Sequence, residues 1–139
     1  FSEVNATSSN ISIYPLPESE EFTIGNNSSA TINFVVLYLS GSGEVSFSIG
    51  TSLWGSNILS NVTINVSQNQ LWYNISIPNT ILNGNTNYYL NVYQISGNVS
   101  WGYTSSPSID INALQDYYYY SGTLYNDNSY PDIFSIGYT

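Results

Sequence analysis

The sequence predicts an all-β fold of antiparallel strands, a sandwich or a barrel, and three features lead to this prediction. Polar and apolar residues alternate with a period of two over most of the chain. The apolar positions are mainly β-branched or aromatic, as in strands, and no segment carries the apolar stripe of a helix. Short runs rich in Gly and Asn separate the alternating segments, which is typical of turns. Many short strands joined by such turns indicate packed antiparallel sheets.

The predicted strands follow one another along the whole chain. They are residues 10–14, 21–24, 30–39, 44–49, 62–66, 71–77, 87–95, 99–103, 108–111 and 133–138. The predicted turns are residues 25–27, 41–43, 83–85 and 97–98.

One segment favours an immunoglobulin-like sandwich. Tyr88 and Tyr89 follow the turn at 83–85 and precede Val92, a pattern that resembles the tyrosine-corner region before a late strand of that fold. Strict alternation predicts that Tyr88, Leu90 and Val92 face the core. We therefore expect an immunoglobulin-like antiparallel β-sandwich with an extended N-terminal donor strand, although any β-sandwich contains a strand of this kind.

The N-terminal residues differ from the rest of the chain. Pro15 and Pro17 interrupt the alternation, and the acidic residues Glu18, Glu20 and Glu21 follow, so we expect a solvated, semi-rigid connector here. The predicted organisation is an N-terminal tail at 1–14, a Pro/Glu connector at 15–21 and a β-sandwich domain at 22–139.

The composition excludes several classes of partner. The 139 residues include nine Asp and Glu and no Lys, Arg or His, which gives a formal net charge of −9 at pH 7. Binding to nucleic acid or to anionic lipid needs cationic side chains, so neither is expected. Below pH ~3 most carboxylates are protonated and the chain becomes almost neutral, which suits a surface exposed to acid. Without Cys, the chain has no disulfides.

Two further expectations concern processing and the membrane. The chain contains no Met, so we expect that Phe1 begins a mature form from which a leader was removed. The longest wholly apolar run, residues 34–39, is far shorter than the roughly 20 residues that a membrane-spanning helix needs. We expect no direct membrane span.

The composition also argues against an enzyme. No His, Lys or Cys is present to activate a nucleophile or to bind zinc, so only carboxylate chemistry remains. The carboxylates considered for it are Glu44, Asp110, Asp116, Asp127 and Asp132. None lies in an Asp-Thr-Gly or Asp-Ser-Gly context, and we expect no catalytic activity, no metal and no cofactor.

The sequence is dense in acceptor sites for N-linked glycans. Asn-x-Ser/Thr occurs at Asn5, Asn10, Asn26, Asn27, Asn61, Asn65, Asn74 and Asn98. Asn26 and Asn27 are adjacent, so we expect only one of the two to carry sugar. Covalent N-glycans imply an extracellular protein, and they would protect strand edges that no Lys guards.

The aromatic residues allow two interpretations. Trp54, Trp72, Trp101 and the tyrosines at 117–120 could stack on sugar rings, and Trp101 could pack on a glycan at Asn98. Alternatively, they are ordinary strand residues that replace charged groups, and we favour this interpretation because Tyr and Trp are good strand formers.

The tail predicts polymerisation by strand donation. Ile11 and Ile13 alternate with polar residues, and Phe1 and Val4 could fill further pockets in a neighbouring subunit. Such a head-to-tail contact does not close and so produces a filament of identical subunits. The C-terminal strand at 133–138 is the rival donor, although no comparable connector precedes it.

A chain without basic residues, rich in Asn, Ser, Thr and Tyr and dense in glycan acceptors, resembles surface filament proteins of thermoacidophilic archaea. The tail-and-sandwich organisation is similar to the Sulfolobus-type glycosylated thread filament (a pilus), and it lacks the long apolar helix of archaeal type IV pilins. This resemblance implies subunits linked by donor-strand complementation in a cell-surface filament for adhesion or cell–cell contact. The alternatives are a monomeric carbohydrate-binding or adhesin module and a surface-layer component.

Overall fold

A computed structural model describes residues 2–5, 11–24, 29–104, 108–109, 112–127, 132 and 134–138. These residues form antiparallel strands and, within the described ranges, no helix, so the predicted all-β class is confirmed. The strands are β1 (Ser2–Asn5), β2 (Ile11–Pro15), β3 (Glu18–Thr23), β4 (Ala30–Gly50), β5 (Leu59–Val66), β6 (Trp72–Leu82), β7 (Tyr88–Thr104), β8 (Ser108–Ile109), β9 (Asn112–Tyr120), β10 (Thr123–Asp127) and β11 (Phe134–Gly137).

The long strand β4 divides the sheet into two halves and belongs to both. The first half-sheet has the strand order β8-β1-β11-β4-β6, and the second has the order β10-β9-β3-β7-β4-β5, with β2 also paired to β7. The halves meet in the core, where the rings of Phe22 on β3 and Phe134 on β11 lie 5.4 Å apart. This arrangement is that of a sandwich-like all-β fold, while its immunoglobulin-like detail remains a prediction.

The core contains the residues that alternation on β7 predicted. Tyr88, Leu90 and Val92 are all buried, as are the larger side chains of Trp101 and Phe47. Burial of each such side chain contributes about 1.5–3 kcal/mol, so the core supplies the main stabilising free energy in a chain without disulfides.

The turns predicted at 41–43 and 97–98 are wrong, because both segments lie inside continuous strands. Gly41 has φ 109° and Gly97 has φ 77°, conformations that side chains rarely adopt. A Cβ atom on Gly41 would collide with the carbonyl of Asn98, and one on Gly97 with the carbonyl of Ser42. The glycines therefore allow β4 and β7 to approach closely and distort there while they remain paired.

The expectation that the acidic connector is solvated is also wrong. Glu18, Glu20 and Glu21 belong to β3, which lies between β7 and β9, and all three are buried. Sequence patterns did not indicate this because a run of charged residues is normally a solvated segment.

Candidate assembly interface

The N-terminal residues form two strands, and both pair within the chain. Strand β1 lies between β11 and β8, with Val4 opposite Phe134 on one side and Ile109 on the other. Strand β2 pairs with β7 from Ile11 opposite Thr104 onwards. The tail thus contributes strands to both half-sheets.

Strand β2 is held in place by aromatic contacts as well as by its ladder. The hydroxyl of Tyr14 donates a hydrogen bond to the carbonyl of Tyr119 at 3.1 Å. The ring of Tyr14 meets that of Tyr118 edge-on, with 4.8 Å between the centroids. These contacts attach β2 to β9 as well as to β7.

Of the four predicted donor anchors, Phe1, Val4, Ile11 and Ile13, the structure describes the side chain of Ile13 alone. Ile13 is 51 % exposed, opposite Gly102 of β7. Only the backbone is described for Val4 and Ile11, and Phe1 lies outside the described residues. Leu16, which the sequence analysis did not single out, is buried beside the tail, and its backbone N–H donates to the carbonyl of Val99 at 3.3 Å. Its position between two prolines concealed it from a search for alternation.

The rival donor, the C-terminal strand β11, is an interior strand. It pairs with β4 on one side and with β1 on the other. Phe134 and Ile136 are fully buried, so removing β11 would open the core. Strand β1 is more peripheral, because within the described residues only β8, a strand of two residues, lies beyond it.

The glycan acceptors that the structure describes lie at the surface. Asn61 and Asn65 on β5, Asn74 on β6 and Asn98 on β7 are all exposed. In the described part of the chain, β5 and β6 pair with β4 alone, so three of these acceptors are on edge strands. The side chain of Asn5 is not described.

The remaining acceptors, Asn10, Asn26 and Asn27, lie outside the described residues.

The three tryptophans have different environments. Trp101 is fully buried, so the expectation that it packs against a glycan at Asn98 is wrong. Trp54 is half-buried and lies between the rings of Tyr93 and Tyr119, at 5.6 and 6.1 Å. Only Trp72, of the three, is strongly exposed.

Trp72 belongs to a surface on the first half-sheet. Its ring meets Tyr38 edge-on at 5.0 Å, and Asn74 and Ser76 follow on the same exposed face of β6. A groove of about 740 Å³ adjoins this face. It is lined by Asn33, Phe34, Asn74, Ser76, Ile77, Pro78 and Asn79. Amide and hydroxyl groups without charge are the groups that recognise neutral sugars.

The face of β3 that carries Glu21 takes part in a polar network, and the pKa values of two tyrosines there are raised. Glu21 accepts hydrogen bonds from Asn87 Nδ2 at 3.1 Å and from the Tyr117 hydroxyl at 3.3 Å. Burial raises the pKa of Tyr89 to about 12, and the nearby Glu21 carboxylate adds to the increase. The pKa of Tyr117 is raised by the same two causes.

The carboxylates considered for catalysis are scattered in the structure where it describes them. Glu44 is half-buried on β4, and Asp132 is fully buried beside β7. Asp116 and Asp127 belong to β9 and β10 but their side chains are not described, and Asp110 lies outside the described residues. Among the residues that the structure describes, no group of three or more acidic side chains is arranged to hold a metal ion.

Comparisons with known proteins give no match. No protein-family model, no curated protein and no solved structure matches this chain significantly. A search of the described residues for helices found none long and apolar enough to cross a membrane.

Proposed function

We propose that the protein is a structural subunit of an extracellular filament that polymerises head to tail. Each subunit donates its N-terminal strand to the groove of the next, and N-glycans cover the filament surface. The assembly is a cell-surface thread of identical subunits that serves adhesion or cell–cell contact, as in the filaments of thermoacidophilic archaea that the sequence resembles.

The observation that carries this proposal is the position of β1. It fills a slot between β11 and β8 by main-chain pairing, at the very start of the described chain. A strand that pairs in this way within one chain can make the same hydrogen bonds to a second copy. Donation of β1 from each copy to the next, without reciprocal exchange, is an open, heterologous contact, and its repetition produces a filament.

The choice between the two candidate donor strands, β1 and β11, depends on what the removal of each strand would expose. Withdrawal of β1 exposes one edge of β11 and removes the strand to which β8 is paired, but it leaves the pairing of β11 with β4 intact. Withdrawal of β11 would expose Phe134 and Ile136, two fully buried side chains. The N-terminal strand is therefore the one whose release leaves β11, with its buried Phe134 and Ile136, paired to β4.

The exposed acceptors support the glycosylated part of the proposal. Asn61, Asn65 and Asn74 lie on β5 and β6, the strands that would otherwise offer unpaired edges to other molecules. Glycans there would prevent edge-to-edge association and leave strand donation as the route of assembly.

The test is strand complementation in trans. A chain that lacks residues 1–14 should remain monomeric and should bind a synthetic peptide of residues 1–14, whereas the full chain forms threads in electron micrographs. A peptide with Val4→Pro is the matched control, because proline has no N–H for the ladder and should bind at least tenfold more weakly. Threads formed by the truncated chain, or a full chain that is only monomeric in native preparations, would refute strand donation.

A second function is favoured by a different observation. The uncharged groove beside Asn74 and the exposed ring of Trp72 provide the groups of a carbohydrate-binding module. If this module is the function, the isolated unglycosylated domain binds neutral glycans on an array and Trp72→Ala abolishes the binding. A glycan on Asn74 would occupy the same surface, so occupancy of this site by mass spectrometry separates the two functions.

A further inference from the structure

Among the side chains that the structure describes, three acidic ones are almost completely buried. Glu18 and Glu20 on β3 are 0 % and 1 % exposed, and Asp132 is 0 % exposed. Two of them are directly connected, because the backbone N–H of Asp132 donates to Oε1 of Glu20 at 2.7 Å in a buried hydrogen bond. We call these three side chains the carboxyl cluster.

The carboxyl cluster borders the hydrophobic core. Phe22 follows Glu18 and Glu20 at alternate positions of β3, and its ring packs against Phe134 and Tyr88. In register, the neighbours of Glu18 and Glu20 on β7 are Val92 and Leu90, both fully buried. Two of the three carboxyl groups therefore project from an interior strand, on the side that faces apolar residues.

The titratable groups around the cluster are neutral or acidic. Strand β7 contributes Tyr88 and Tyr103 to the surroundings of the carboxyl cluster, and β9 contributes Tyr118. Tyr14 of β2 contacts Tyr118, and backbone register places Asp116 of β9 opposite Glu20. Glu21 lies on the other face of β3. Because the chain has no Lys, Arg or His, no side chain supplies a positive charge at any pH.

An ionised carboxylate in such a place is unfavourable. Transfer of the charge from water into an apolar interior is costly unless an opposite charge compensates it, and this chain offers no cationic side chain. A buried group in this situation keeps its proton, since the neutral acid loses much less hydration. A neutral carboxyl also retains a carbonyl oxygen that can accept the hydrogen bond of Asp132 N–H.

We propose that Glu18, Glu20 and Asp132 are neutral carboxylic acids in the folded protein, so that acid stabilises this fold and ionisation of the cluster destabilises it. The unfolded chain releases these protons at about pH 4, whereas the folded chain retains them to higher pH. Above pH ~4 the folded state therefore binds more protons than the unfolded state, and stability falls as pH rises. Stability is complete below the ordinary carboxyl range, which is the reverse of ordinary acid denaturation.

The expected effect is large. Each cluster carboxyl lowers the folding equilibrium constant about tenfold per pH unit between its unfolded and folded pKa values. Urea denaturation midpoints of the full chain, measured from pH 2.5 to 8, should therefore decrease above pH ~4. The triple variant Glu18→Gln, Glu20→Gln, Asp132→Asn should lose this decrease, and each single variant should lose part of it.

The matched control is Glu44→Gln, which removes one carboxylate at a half-buried position on β4 and should keep the wild-type slope. Two results would overturn the proposal: a wild-type midpoint that is flat or rises between pH 4 and pH 7, or amide variants that keep the full slope.

A second measurement does not depend on whether the variants fold. Infrared spectra of the folded wild-type protein in D₂O at pH 6 should show the carbonyl stretch of protonated carboxyl groups, separate from the carboxylate bands. The band should weaken in any single amide variant that folds, and it should disappear when the wild-type protein is unfolded in urea at the same pH. A folded wild-type protein that shows only carboxylate bands at pH 6 would show that the cluster is ionised, and the proposal would be wrong.

Discussion

Strands β3 and β6 both contain several polar residues, but they occupy opposite environments. Strand β3 pairs with β7 and β9, and its polar residues Glu18 to Glu21 are all buried. Strand β6 pairs, among the described residues, with β4 alone, and it exposes Asn74 and Ser76. Burial in this protein therefore depends on how many strands flank a segment, whereas the polarity of the segment is a poor guide.

The largest expected difference between the two strands concerns their aromatic residues. Phe22→Ala on β3 removes a fully buried ring that contacts both half-sheets, and it should lower the free energy of unfolding by about 3–5 kcal/mol. Trp72→Ala on β6 removes a larger ring that is 44 % exposed and should cost about 1 kcal/mol, mainly through its contact with Tyr38. Urea denaturation at one fixed pH measures both, and equal losses would contradict the assignment of β6 to an edge.

The next expected effect concerns a buried amide opposite β3. Asn91 Oδ1 accepts hydrogen bonds from the Ser19 hydroxyl at 2.6 Å and from the Trp54 backbone N–H at 3.1 Å, and its Nδ2 donates to the carbonyl of Gly55 at 2.8 Å. Asn91→Ala would leave these groups without their partner and should cost about 1–3 kcal/mol.

The control for this substitution is Asn74→Ala in protein made without glycosylation. Asn74 is exposed on β6, so its replacement should change stability by no more than about 0.5 kcal/mol. A loss at position 74 as large as that at position 91 would show that the surface of β6 is covered by another part of the molecule.

Sequence patterns predicted the parts of this fold in which side-chain chemistry and position agree. The all-β class followed from alternation, and so did the core face of β7, where Tyr88, Leu90 and Val92 are buried as expected. Strand β3 could not be predicted in the same way, because Glu18 and Glu20 are buried by the flanking strands and not by their own hydrophobicity.

For the candidate assembly interface, the sequence predicted which segment of the chain takes part but not where that segment lies in the sheet. The sequence indicated that the N-terminal tail forms strands, but the position of β1 between β11 and β8 depends on pairing between distant residues, which no local pattern encodes. The same holds for the predicted turns at 41–43 and 97–98, since glycine is used both in turns and where two strands approach closely. Local composition does not distinguish these uses.

An effect of similar size is expected where β4 and β7 approach each other. Gly97→Ala places a Cβ against the carbonyl of Ser42 and enforces φ 77° on a residue with a side chain, so it should cost about 1–3 kcal/mol. Gly122→Ala has a similar φ of 80° but meets nothing within 4 Å, so only the backbone penalty of about 1 kcal/mol should remain. Equal losses in urea denaturation would show that the close approach of the two strands contributes nothing.

The two faces of β3 also differ from each other in the titratable groups beside them. The pKa of Tyr89 is raised to about 12 by burial first and then by Glu21, whose charge disfavours the phenolate. Because the folded pKa lies above the ordinary value of 10, stability from this group is complete below pH 10 and decreases as pH rises from about 10 to about 12. Glu21→Gln should lower the pKa of Tyr89, measured as the tyrosinate absorbance of each chain minus that of its Tyr89→Phe counterpart.

Glu44→Gln is the control and should leave the Tyr89 titration unchanged. The effect of Glu21 on Tyr89 requires a negative charge on one face of β3, whereas the carboxyl cluster requires neutral acids at Glu18 and Glu20 on the other face. A Tyr89 titration that does not respond to Glu21→Gln would show that Glu21 does not contribute to the raised pKa of Tyr89, and the prediction would be wrong. A clear decrease would mean that the Glu21 charge disfavours the Tyr89 phenolate on this face of β3, opposite the face that carries Glu18 and Glu20.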